Sequence, residues 1–136
     1  DSVVSFLDTT FEITEEETVL IGAQSYSSIF KCLYLACYNS KRDSQEILQY
    51  LTESSFNDRL TLYTPNELTV AHKIGTFNSG YQSDCGIFYV PDRKYLLCVM
   101  VKGEDPAASQ IIADISLKTY MFVRDKIQVD TKRVWD

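Results

Sequence analysis

The chain has 136 residues, enough for one domain with a real core, and its 45% hydrophobic and 24% charged content is ordinary for a globular chain. A formal charge of −6 argues against a nucleic-acid partner, which needs a basic surface. No window of about 18 consecutive apolar residues occurs, so no membrane-spanning helix is expected.

Residues 1–24 read as an irregular acidic lead-in. Asp1, Asp8, Glu12, Glu15, Glu16 and Glu17 all precede the first basic residue, Lys31, and a solvated run is the expected role for them. The opening is polar and acidic where a signal peptide would be basic and then apolar, so no targeting segment is expected in the chain. A mature or excised piece would lack one too, so this does not place the chain in the cytoplasm.

Ser25 can cap a helix over about 26 to 39, with Ile29, Phe30, Leu33 and Cys37 on one face. Asp43 and Glu46 make a capping-box-like start for a second helix over about 44 to 54, with Ile47, Leu48 and Leu51 inward. The polar link at 39–42 suits an αα-hairpin, and from Ser54 to Glu67 the chain reads as loop. Three strand-like runs follow, at 68–77, 84–90 and 94–102. The polar stretch 78–83 separates the first two, and a tight turn at 91–93 joins the last two. Asp105 can cap a closing helix to about 126, with Pro106 at its first position and Ile111, Ile112, Ile115 and Phe122 on one face. The order α-α-β-β-β-α is an α+β layer, an antiparallel meander with the closing helix on the sheet. Three strands alone would leave an unpaired edge and an uncovered face, so a completing segment or self-association is expected.

Cys32, Cys37, Cys85 and Cys98 form no C-x-x-C pair and have no nearby His, so no metal site is expected. Each lies in an apolar stretch, where a free thiol packs as a small hydrophobe. Cys85 and Cys98 can alternatively face each other across a hairpin as a disulfide.

Val70-Ala71-His72-Lys73-Ile74-Gly75-Thr76 resembles the Lys-Thr/Ser-Gly strand of the class A β-lactamase and penicillin-binding-protein family of serine hydrolases. Residues 83–91 and 95–103 look like the family's next two strands, 25–34 like the helix after its Ω-loop, and the end like its terminal helix. The likeness covers about residues 20 to 127. It implies that 1–136 is a single or partial domain, the C-terminal half of a β-lactamase-like transpeptidase fold. It further implies acyl-serine chemistry on a β-lactam or peptidoglycan-peptide amide, no cofactor, and an extracytoplasmic (periplasmic or secreted) setting.

By that resemblance, Lys73 lends positive charge to the substrate carboxylate and the proton-transfer network. The Thr76 backbone N–H is an oxyanion donor, and Gly75 keeps the strand edge bare for substrate. The bland alternatives are an exposed strand lysine at 73 and a bulge or bend at Gly75. His72 points away from Lys73, because neighbours on a strand alternate faces, and is read as a packed or surface residue. Position 74 is Ile where the family commonly has Thr or Ser, so the hydroxyl for the substrate carboxylate is missing. Neither the family's Ser-x-x-Lys, its Ser-x-Asn nor its Ω-loop glutamate is recognisable. Ser28-Ile29-Phe30-Lys31 has the letters of the first but lies too near Lys73 for the family order. The nucleophile is therefore expected from a missing N-terminal segment or a second chain, and the isolated chain is expected to be inactive. The alternative is a non-catalytic binding or structural module on the same scaffold.

Overall fold

The computed structural model describes residues 21–77 and 80–134. Helix α1 spans Ala23–Leu35, α2 Lys41–Thr52, and α3 Ala107–Val134. Strands β1 (Val70–Phe77), β2 (Tyr81–Phe88) and β3 (Tyr95–Lys102) form one antiparallel sheet in the order β1-β2-β3. The α+β fold read from the sequence is the fold found.

The element ends differ from those expected where the capping residues differ. α1 starts at Ala23 from Gly22, with no side-chain cap, so Ser25 lies inside the helix. Most of the acidic lead-in, residues 1–20, lies outside the described residues. For α2 the cap is Ser40, whose hydroxyl accepts from the Asp43 N–H at 3.1 Å; Asp43 is itself in the first turn. Asp105 accepts from the Ser109 hydroxyl, and α3 begins at Ala107. The expected turn is present, with Arg93 N–H donating to Val90 C=O and Asp92 at φ 62°.

The alternation of strand side chains sorts the core into two parts. Val70, Phe88, Tyr95, Leu97, Val99 and Val101 face α3 and meet Leu60, Ile112 and Val123. Ala71, Cys85, Ile87, Leu96 and Cys98 face the other way and meet Phe30, Leu33 and Leu48 of α1 and α2. Both faces are therefore covered, contrary to the expected bare face, because the αα-hairpin folds back onto the side α3 leaves free. The edges do stay open: among the described residues β1 and β3 each pair only with β2. Cys85 and Cys98 are register partners on β2 and β3 and are joined as a disulfide, the second of the two readings left open by the sequence.

The inward face of α3 also differs from expectation. Ala108, Ile112, Ala113, Ser116 and Val123 are buried, whereas Ile111, Ile115 and Phe122 are exposed, the last at 62%. Small residues let the helix sit close to the sheet, and the Ser116 hydroxyl is satisfied by donating to Leu60 C=O at 2.7 Å. The larger apolar residues form an outward stripe.

Candidate functional site

Strand β1 carries the Lys-x-Gly signature, and its two faces differ. Lys73 is exposed, its Nζ donates to Ile74 C=O at 2.8 Å, and its own carbonyl accepts from the Tyr26 hydroxyl of α1 at 3.3 Å. Burial, and then the negative charge of Asp84, push the Tyr26 hydroxyl up to about 12. Gly75 pairs with Ser83 in an unbroken register, so it is not a bulge. A Cβ there would lie 2.6 Å from the Ser83 hydroxyl, which leans toward the Gly75 carbonyl.

On the opposite face His72 is 2% exposed, and its Nδ1 lies 3.1 Å from each carboxylate oxygen of Asp84. Asp84, fully buried, also accepts from the Leu60 N–H at 3.1 Å. The ring has room because its register partner is Gly86. Any Cβ at Gly86 would fall 2.6 Å from that of His72. A cavity of about 280 Å³ lies on this side, lined by Asn57, Thr61, Asn66, Val70 and His72 among others, and not by Lys73. The packed reading of His72 is the one observed.

The residue that organises the region is Arg59, from the stretch read as loop. It is 2% exposed and donates to five acceptors. One terminal nitrogen bonds the Gly75 and Ser83 carbonyls at 2.7 and 2.8 Å. The other bonds Thr76 Oγ1 at 2.6 Å and Gln82 Oε1 at 2.7 Å, while Nε reaches Ser109 Oγ at 3.3 Å. Asp105 and Asp58 lie 3.7 and 3.9 Å away and offset the buried charge. Arginine suits this place because its planar fork meets several acceptors at once. This network also explains why β2 begins at Tyr81 and not after the polar loop expected over 78–83. Gln82 and Ser83 are buried strand residues whose polar atoms Arg59 satisfies.

Lys73, Gly75 and Thr76 thus lie together along an edge strand, and Arg59 fixes the backbone at Gly75 and the side chain at Thr76. Ser28 is set apart from them. It sits exposed on α1 with its hydroxyl donating to Gln24 C=O at 3.1 Å, ordinary helix back-bonding. Among the described residues no three His, Cys, Asp or Glu side chains converge as metal ligands. Arg59 gave no local sequence signal. The Gln82-Ser83-Asp84 run did give one, since consecutive polar residues leading into a strand require buried partners from elsewhere.

The family model described as the β-lactamase enzyme family matches residues 3–123. No curated protein matches the sequence. Among solved structures, the chain is similar to PBP-A, with 21% identity over 81% of this chain and 47% of that one and a TM-score of 0.70. It is similar to the β-lactamase from Sphaerobacter thermophilus DSM 20745, with 18% identity over 82% of this chain and 43% of that one and a TM-score of 0.73. A mutant of PBP-A solved as an acyl-enzyme complex with penicillin G matches at 21% identity, 81% and 47% coverage and a TM-score of 0.66. The chain spans less than half the length of each of these structures, and at such identities the likeness establishes the fold.

Proposed function

The chain belongs to the β-lactamase enzyme family, and we propose that it is the C-terminal half of a serine hydrolase acting on β-lactam or peptidoglycan-peptide amides. In this reading Lys73 supplies positive charge to the substrate carboxylate. The Thr76 N–H is one oxyanion donor, and Gly75 lets the acyl group lie against the strand. The serine comes from a segment N-terminal to the described residues or from a second polypeptide. Family membership supports the proposed substrate class, cleavage chemistry and extracytoplasmic setting. No described helix is long and apolar enough to cross a membrane.

The observation that supports it best is the Lys73-x-Gly75-Thr76 run on an edge strand whose geometry is fixed by a buried arginine. A strand that must bind a transition state benefits from a backbone held before substrate arrives. The open edges of β1 and β3 and the outward Ile111, Ile115 and Phe122 of α3 are surfaces the remaining half would cover. A non-catalytic module on the same scaffold is the second reading, favoured by Ile74 in place of a hydroxyl residue.

The test is covalent capture. The isolated chain, incubated with a reporter penicillin, is expected to show no adduct by intact mass. The longer product of the encoding gene is expected to form one on a serine outside residues 21–134. An adduct at Ser28 would refute the assignment of α1. A longer product that never acylates, while retaining saturable penicillin binding, would establish the non-catalytic module.

A further inference from the structure

We propose that Cys32 and Cys37, at the C-terminal end of α1, are a reversible dithiol–disulfide site that reacts with small-molecule or protein disulfides. The backbone itself brings them together. Ala36 adopts the left-handed conformation (φ 54°, ψ 43°), its N–H bonds toward Leu33 C=O at 3.3 Å, and the Cys37 N–H returns to Cys32 C=O at 2.9 Å. That pair of bonds is the helix-ending motif in which the residue after the left-handed position folds back onto the side chain five earlier. Here both of those residues are cysteine.

In this motif the two side chains commonly come into contact. A hydrogen bond with Cys32 is the leading cause that holds the Cys37 thiol above its ordinary pKa, and one with Cys32 does the same for the neighbouring Tyr38 hydroxyl. Cys37 is exposed and Cys32 half-buried, whereas Cys85 is fully buried and already bonded to Cys98. An external disulfide therefore reaches Cys37 first. The thiolate form of Cys37, a smaller fraction because its pKa is raised, attacks one sulfur of R–S–S–R, forming a mixed disulfide and expelling RS⁻. The Cys32 thiolate then attacks the Cys37 sulfur, expelling the second RS⁻. The cysteine pair loses two electrons to the external disulfide, and the two cysteine protons pass by way of solvent to the two RS⁻ groups, which leave as two thiols. A setting that keeps Cys85–Cys98 oxidised would favour the same state here.

The full chain is equilibrated over graded ratios of oxidised to reduced glutathione, quenched by alkylation, digested and mapped by mass. A Cys32–Cys37 intramolecular link that appears and disappears with the ratio is expected, with Cys85–Cys98 linked across the range. Cys32→Ser, which keeps the attacking thiol and removes the resolving one, should leave Cys37 as a lasting glutathione adduct. The proposal is overturned if the unsubstituted chain accumulates the same adduct as Cys32→Ser. It is equally overturned if Cys37 links two chains, or if both thiols remain alkylatable at the most oxidising ratio.

Discussion

The two faces of β1 carry polar residues side by side in sequence and use them in opposite ways. His72 and Thr76 look toward a closed network in which Arg59, Gln82 and Asp84 have their hydrogen-bonding groups engaged inside the protein. Lys73, between them, is exposed, and among the described residues its side chain bonds its neighbour's carbonyl alone. A buried polar group costs free energy whenever its partner is lost, and an exposed one does not. The first face is therefore a matter of stability and shape, and the second is free to be a matter of chemistry.

Removing Arg59 should break the closed face most severely. Arg59→Met keeps much of the buried stem but strips the Gly75 and Ser83 carbonyls, Thr76 and Gln82 of their donor. We expect a loss of about 1–3 kcal/mol or more, the cost of leaving buried polar acceptors without a donor. Urea unfolding of the isolated chain reads it as a lower midpoint. A midpoint within error of the parent would mean that water replaces the guanidinium without cost, and that the strand is not held by this residue.

Gly86→Ala attacks the same face by volume. The added methyl would meet the His72 Cβ at 2.6 Å and the Ala71 carbonyl at 2.9 Å, and the backbone oxygen cannot swing aside. Overpacking of this kind costs about 1–3 kcal/mol, and a thermal melt should show it.

These two residues mark what the sequence could and could not reveal. Apolar periodicity was enough to locate three helices and three strands, because one apolar stripe or one alternating face determines each. Interactions between distant residues were not legible. Arg59 sits in an irregular stretch with no periodic pattern, and its partners lie up to fifty residues away, at Ser109. The outward turn of Ile111, Ile115 and Phe122 was missed for a related reason. Local pattern selects the most apolar stripe, whereas close packing on the sheet selected the one with Ala108, Ala113 and Ser116. The Lys73-x-Gly75 run was legible as a motif, but the role proposed for it rests on family likeness.

On the α1 side of the sheet, Tyr26 reaches the Lys73 carbonyl. Its hydroxyl is raised from 10.0 to about 12 by burial first and by Asp84 second. A raised folded-state value means that the unfolded chain releases this proton at lower pH than the native chain. Stability from Tyr26 is therefore complete below pH about 10 and is lost as pH climbs toward about 12. Tyr95, raised in the same direction by burial and then by Tyr120, contributes to the same alkaline loss. Tyr26→Phe should flatten the fall in melting temperature across that window without abolishing it. An unchanged slope would mean that the hydroxyl is as well solvated in the folded chain as in the unfolded one.

The smallest effect on stability should come from Lys73. Lys73→Ala removes an exposed side chain whose hydrogen bond to the adjacent carbonyl competes with water on equal terms. Surface changes of this sort stay within about 0.5 kcal/mol, so the unfolding midpoint should not move measurably. If a longer product of the gene acylates as proposed, the same substitution there should sharply reduce adduct formation with a reporter penicillin. The charge would be lost at the substrate while the strand remained in place. Arg59→Met would lose both together, because its strand is no longer held. The separation of the two readouts at Lys73, set against their joint loss at Arg59, distinguishes a group that acts on substrate from one that holds the backbone. If Lys73→Ala acylates at the parental rate, the exposed lysine is an ordinary strand residue, and the positive charge must come from elsewhere in the protein.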